Sequence, residues 1–378
     1  MSTKSTNCRN PACKPSAGIL ALMLLVSTVV QGQSTDGYPE GRYPPPPRMG
    51  QWAALQMFVF SPLGKDLLST NTYWGMDHVN SWHDLYIETS SGTLFLVSKS
   101  VSRANANEPF TLPFAISFKS SPTGLVINTC DRPWTGPVEE QLTPDDHITR
   151  TVSNATGERE VITFGPQRFV WKSQDPNYIN VEGTLVTPGT QWMLPWREPS
   201  GSTDRLYYQA QYYKVTGTYC GEQIVDGHAQ MEDSWSTVGY PNTWWVQNRI
   251  GHWTTWTNEY ADGSRETGQF LCGEYGARGG VIVDGKGKVL LNTTKANAFD
   301  VGEGRIEYVF DDGQRWLFIA DPTQALSFGT TLIGNGVFKR IGDNRRIVRH
   351  SATHLLTQRL CRPIPLADRQ DAGTEPAD

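Results

Sequence analysis

Across residues 52 to 361 apolar positions either alternate with polar ones or gather in short β-branched and aromatic runs, and a 3.6-residue period is almost absent. Turn signals punctuate these runs at close spacing, the pattern of a sandwich or barrel and not of alternating strands and helices. Strands are predicted over Asp84–Glu88, Thr93–Ser100, Phe114–Ser120, Leu125–Asn128, Glu160–Phe164, Arg168–Lys172 and Ile179–Leu185. The later part reads as hairpins: Arg249–Tyr260 returns through Asp262-Gly263 as Ser264–Cys272, Gly280–Val283 through Asp284-Gly285 as Lys288–Leu291, and Arg305–Phe310 through Asp312-Gly313 as Gln314–Ala320. Each Asp-Gly supplies the positive φ angles of a tight turn. In the last hairpin Ile306, Tyr308 and Phe310 share one face with Trp316, Phe318 and Ala320, an aromatic face suited to lining a barrel. The fold expected is all-β, with two β-barrel or sandwich halves packed together. Their boundary is placed near Thr203, after the Pro-, Gly- and Ser-rich stretch from Trp196, giving halves of 52–203 and 204–361.

The ends of the chain read differently. Lys4, Arg9 and Lys14 precede an apolar run from Ile19 to Val30, the layout of a secretory signal peptide over residues 1–32. That run is shorter than the roughly 20 residues a spanning helix needs. Residues 33–51, with Pro44-Pro45-Pro46-Pro47, read as an extended leader, because proline cannot donate to a sheet ladder. Residues 362–378 are polar and Pro-dotted and read as a disordered tail. Without the signal, 30 basic residues face 38 acidic ones, a net charge of −8. Nucleic acid is a poor partner for such a chain, and its scattered cations give no basic stripe.

Four cysteines follow the signal: Cys130, Cys220, Cys272 and Cys361. In an oxidising compartment they suggest two disulfides, with three pairings open. Asn154-Ala155-Thr156 and Asn292-Thr293-Thr294 are glycosylation sequons, and together with the signal they point to a secreted or lumenal glycoprotein.

The candidate chemistry centres on Gly227-His228-Ala229-Gln230-Met231-Glu232-Asp233-Ser234-Trp235. On a strand His228, Gln230 and Glu232 share a face. A carboxyl facing an apolar cavity has its pKa raised by desolvation and becomes a general acid, so Glu232, His228 and Asp233 are the proton-transfer candidates. Thirteen tryptophans supply material for an aromatic wall that holds a flat or polyunsaturated ligand, or for a packed β core. Trp82, Gln230, Trp235, Trp245, Trp256, Tyr308, Trp316 and Lys339 are the candidate substrate contacts. No nucleophile elbow, phosphate loop or metal-ligand spacing occurs, so neither cofactor nor metal is implied.

The Gly227–Trp235 segment, followed by Trp244-Trp245-Val246-Gln247 and the Asp262-Gly263 hairpin, resembles the signature region of the lipocalin-like superfamily that holds carotenoid 1,2-hydratases, kievitone hydratase and fungal Diels-Alderases. Trp82-His83-Asp84-Leu85-Tyr86 is similar to that group's first Trp-rich strand. The hydratases carry Tyr-x-Asp-His before the Trp; here Gln230, Glu232 and Asp233 fall at the Tyr, Asp and His positions and Trp235 matches. Those replacements point away from carotenoid hydration and toward a secreted fungal natural-product enzyme. The resemblance implies two lipocalin-like halves and cofactor-free dehydration with a hetero-Diels-Alder cycloaddition, joining a tropolone quinone methide to a terpene such as humulene. A hydratase of a small apolar natural product and a non-catalytic lipocalin-like carrier are the alternatives, with a Trp-platform carbohydrate-binding protein or glycosidase behind them.

Overall fold

The computed structural model describes residues 34–35, 56–60, 62–73, 75–103, 110–195, 205–236, 250–273, 278–293, 295–328 and 331–357. The signal segment 1–32, most of the leader 33–51, Trp245, Cys361 and the tail 362–378 lie outside these residues. Among the described residues there is no α-helix, only a single 3-10 turn at Gly64–Leu67. The chain is all-β.

Fifteen strands make the first sheet: β1 (Ser34–Thr35), β2 (Gln56–Phe60), β3 (Thr72–Tyr73), β4 (Met76–Thr89), β5 (Leu94–Ser102), β6 (Leu112–Ser121), β7 (Gly124–Ile127), β8 (Trp134–Leu142), β9 (Ile148–Asn154), β10 (Arg159–Phe164), β11 (Arg168–Ser173), β12 (Ile179–Leu185), β13 (Gly189–Pro195), β14 (Arg205–Tyr219) and β15 (Glu222–Ser236). Its main path runs β7-β6-β5-β4-β15-β14-β12-β11-β10-β9-β8. Nine more strands form the second sheet: β16 (Ile250–Tyr260), β17 (Arg265–Gly273), β18 (Arg278–Asp284), β19 (Val289–Thr293), β20 (Ala296–Asp300), β21 (Arg305–Phe310), β22 (Arg315–Phe328), β23 (Thr331–Arg340) and β24 (Ile347–Thr357), in the order β19-β18-β17-β16-β24-β23-β22-β21-β20.

Both sheets curl on themselves. In the first, Lys99 on β5 reaches Glu160 on β10 at 3.2 Å, Arg150 on β9 reaches Asp233 on β15 at 2.9 Å, and Val138 N donates to Phe110 O at 3.3 Å. These strands are far apart along the sheet, so the interior is enclosed. It is filled by Leu85, Val97, Ile162, Trp171, Tyr213 and Met231, among others. Lys99 is buried there between Glu160, Tyr178 and the Trp134 and Trp171 rings, and both indole N–H groups donate to Glu160.

The second sheet closes on an aromatic core. Trp256 on β16 stacks on Phe338 at 5.3 Å and lies 4.9 Å from Trp316, while Phe270 on β17 meets Phe310 on β21 at 4.6 Å. Tyr308 and Trp316 are buried in this cluster. Beneath Trp256 the chain carries Gly268, where any Cβ would overlap the indole. The aromatic face expected to line a lumen therefore fills it, because seven large rings on facing strands leave no room for a ligand.

The passage between sheets falls between Ser236 and Ile250, not near Thr203. β14 and β15 pair with β12 and β4 in the middle of the first sheet and so belong to it. The Asp262-Gly263 and Asp312-Gly313 hairpins form as expected, with Gly263 and Gly313 at φ 80° and 81°. At the third hairpin the positive φ falls on Gly287, and Asp284 instead caps the turn by accepting from the Lys286 and Lys288 amides.

Candidate functional site

The face of the first sheet that turns toward the second is built from β4, β14 and β15. Alternation puts His228, Gln230 and Glu232 on this face of β15, and the antiparallel register sets Tyr86, Asp84 and Trp82 directly opposite them on β4. Tyr212 pairs with Gln230 from β14, and Tyr208, on the same face of β14, pairs with Ser234. Gly227, at φ 134°, opens the segment; an added Cβ would collide with the Tyr86 carbonyl, so only glycine lets β15 bulge this close to β4.

Two carboxyls meet here. Glu232 Oε1 accepts a hydrogen bond from Gln230 Nε2, and the Tyr208 hydroxyl lies beside the same carboxyl. Asp84 Oδ2 accepts from the Tyr86 hydroxyl at 3.2 Å. No cation pairs with either acid among the described residues. Burial, then the nearby Asp84 charge, pushes Glu232 well above the usual carboxylate range. Burial raises Asp84 from 3.8 to about 7, moderated by hydrogen bonds from Ser98 and Tyr86. The pair therefore holds at least one proton at neutral pH.

The second sheet locks this face from the other side. Thr255 Oγ1 on β16 donates to Gln230 Oε1 at 2.8 Å, Gln269 Nε2 on β17 donates to the Tyr208 hydroxyl at 3.0 Å, and Trp253 meets Tyr208 edge-on at 5.6 Å. Trp82, opposite Glu232, is half-buried and lies 5.6 Å from Phe114, which is 44% exposed. At the other end of β15 a shallow, open cleft is walled by charged groups, among them Asp226, Arg349 and the Lys214–Glu259 pair at 2.6 Å.

Of the residues singled out from sequence, Glu232, His228, Gln230 and Trp82 come together on this face. His228 is 1% exposed and burial pulls its pKa down to about 3, so it is a neutral imidazole and not an acid at neutral pH. Asp233 points the opposite way, into the first sheet's interior, where Arg150 and His78 each approach it at 2.9 Å; burial is the largest single influence on it, and the Arg150 charge together with the His78 hydrogen bond and charge more than offsets that burial and keeps it ionised. It is a buried counterion, not a partner of Glu232. Trp235 shares that interior face, stacked on His78 at 4.3 Å and donating to Asn71 O. Trp256, Tyr308 and Trp316 are packed core, and Lys339 is exposed on the outer face of β23. None of these four contacts the carboxyl pair.

Cys130 and Cys220 form a disulfide, and Cys272 is disulfide-bonded as well. Asn154 is only 1% exposed: its Nδ2 donates to buried Glu160, and its Oδ1 accepts from Thr156 and Glu158. A glycan on that nitrogen is incompatible with this packing, so the first sequon is a turn-forming element. Asn292 is exposed on β19. Among the described residues no group of three His, Cys, Asp or Glu is placed to hold a metal ion.

Asp84, Tyr86, Tyr208 and Tyr212 are the site residues that sequence reasoning did not select. The signal for the first two was present in the alternation Trp82-x-Asp84-x-Tyr86, which matches Glu232-x-Gln230-x-His228 run in reverse.

No protein-family model matches this chain, and no curated protein matches it. Among solved structures it is similar to CghA (TM-score 0.45, 10% identity, covering 82% of this chain and 100% of that one) and to CghA with Sch210972 (0.44, 10%, 80% and 98%). It is also similar to kievitone hydratase from Nectria haematococca (0.36, 7%, 80% and 99%), one of the proteins whose signature the Gly227–Trp235 segment resembles.

Proposed function

We propose that this chain is a cofactor-independent enzyme that dehydrates a small, largely apolar alcohol at the Asp84–Glu232 pair and guides the reactive product into a cycloaddition. The observation that carries this reading is the pair itself: two buried carboxyls on adjacent strands, without a cation among the described residues, both raised above the usual carboxylate range so that they cannot both be charged at neutral pH. Such a pair supplies an acid and a base together. Protonated Glu232 gives its proton to the hydroxyl, the C–O bond breaks with its electrons leaving on oxygen as water, and ionised Asp84 removes a proton from the substrate's conjugated system. Transfer of that proton from Asp84 to Glu232 restores the starting state. A diene held against Trp82 and Phe114 then meets its alkene in a fixed orientation, which lowers the barrier by proximity.

In the finer form that the sequence resemblance implies, the alcohol is a tropolone, the dehydrated species a quinone methide and the partner a terpene such as humulene. The Cys130–Cys220 disulfide accords with passage through an oxidising secretory compartment. Among the described residues no helix is long and apolar enough to cross a membrane.

Glu232→Gln tests the assignment, since it keeps shape and hydrogen bonding but removes the proton. Co-expression with a biosynthetic pathway that supplies the alcohol should show product formation falling about 10²- to 10⁴-fold in the variant. Unchanged product with the variant means the carboxyl is not the acid; unchanged product without the protein means the chain does not catalyse the step.

A further inference from the structure

A second polar locus lies on the same face, and the proton chemistry does not use it. His228 is buried with neither ring nitrogen hydrogen-bonded, and its ring lies 5.0 Å from Tyr86 and 6.3 Å from Tyr212. The Tyr212 hydroxyl has Thr190 and Thr255 nearby but no well-aligned hydrogen bond. At the carboxyl pair, Asp84 Oδ1 and the Ser100 hydroxyl are also unpartnered, and Ser100 stands beside Trp82 in the strand register. Buried polar atoms are almost always satisfied, so two such groups on one face call for partners from outside the chain.

We propose that His228 and Tyr212 form a second oxygen-binding subsite, so that the substrate is an uncharged molecule with two oxygen functions joined by an apolar frame. This rests on the reading of the Asp84–Glu232 pair as the reacting end. A neutral imidazole has one donor and one acceptor nitrogen, and a phenol both donates and accepts. Together they match a hydroxyl or an enol better than a carboxylate, which only accepts. Asp84, the base of the reacting pair, and His228 are diagonal neighbours across the β4–β15 register, about 7–8 Å apart, so one substrate oxygen at Asp84 and another at His228 call for a frame of about that length. That span corresponds to two fused six-membered rings carrying oxygens at opposite ends. His228 and Tyr212 are thus positioning and specificity-determining residues, distinct from the reacting carboxyls.

The test uses 2,6-dihydroxynaphthalene, whose oxygens have this separation, and 2-naphthol, which lacks one of them, with affinities read by tryptophan fluorescence. The wild-type chain should bind the diol at least about tenfold more tightly than the mono-ol. His228→Phe should abolish that preference, and Tyr212→Phe, which removes one oxygen only, should reduce it. Equal affinities in the wild type, no binding of either compound, or a preference that survives both substitutions overturns the proposal. Glu232→Gln separates this from the catalytic reading: loss of turnover with the diol preference intact supports both. Turnover retained with the preference mapped to His228 leaves the subsite standing and removes the acid. Turnover lost with no diol preference does the reverse.

Discussion

The state of each buried acid in this protein follows from its neighbours. Glu160 has Lys99 at 3.2 Å and Asp233 has Arg150 at 2.9 Å, so each negative charge is compensated within the first sheet's interior. Asp84 and Glu232 are also buried but have phenols, an amide and each other, and two like charges in such a place cannot both persist. They titrate as a unit. The account requires Asp84 ionised, so the rate should fall about tenfold per pH unit below pH 7, the value to which burial raises this carboxyl. Asp84→Asn should remove that limb and most of the rate, measured as a pH–rate profile. Stability carries the same signature with its own sign. The folded chain holds the Asp84 proton more tightly than the unfolded chain, so this contribution is present at low pH and is lost between pH 3.8 and about 7. In Asp84→Asn that slope should disappear from denaturant unfolding curves.

Among the strands, those with clean alternation or Asp-Gly turns were legible in the sequence. The aromatic hairpin of β21 and β22 has the expected register, with Tyr308 opposite Trp316 and Ile306 opposite Phe318. What alternation could not tell was whether that face lines a space or fills one, because the answer depends on the facing strands: Trp256, Phe270 and Phe338 close over it. The same limit explains Asp233 and Trp235. Their odd-numbered positions place them opposite Glu232 on β15, yet crowding in sequence made the segment read as one site. β8 carries no clean alternation in the sequence, because Gly136, Pro137, Glu139 and Glu140 break its pattern, and the register shift between Thr135 and Glu139 marks that irregularity. The tight second-sheet core gives a prediction at this scale. Gly268→Ala should force Trp256 out of place and cost roughly 1–3 kcal/mol in thermal unfolding, while β17 and its hairpin remain.

For the molecule as a whole, the carboxyl face is set by two curled sheets meeting face to face. Contacts across that junction are directed ones: Thr255 to Gln230, Gln269 to Tyr208, Lys214 to Glu259. They fix the carboxyl face more sharply than apolar contact alone, since each buried polar group demands its own partner. The Cys130–Cys220 bridge ties residues 90 positions apart, joining the segment before β8 to the turn between β14 and β15. Replacing both cysteines with serine should lower unfolding free energy by about 2–5 kcal/mol, and reductant should bring the wild-type urea midpoint down toward that of the variant.

Central to all of this is a proton kept by Glu232 at neutral pH. Difference infrared spectroscopy of the wild type against Glu232→Gln at pH 7 reads it directly, through the carbonyl stretch of a protonated carboxylic acid. The band should be present in the wild type and missing from the variant; a wild-type spectrum showing only carboxylate bands for this residue contradicts the account.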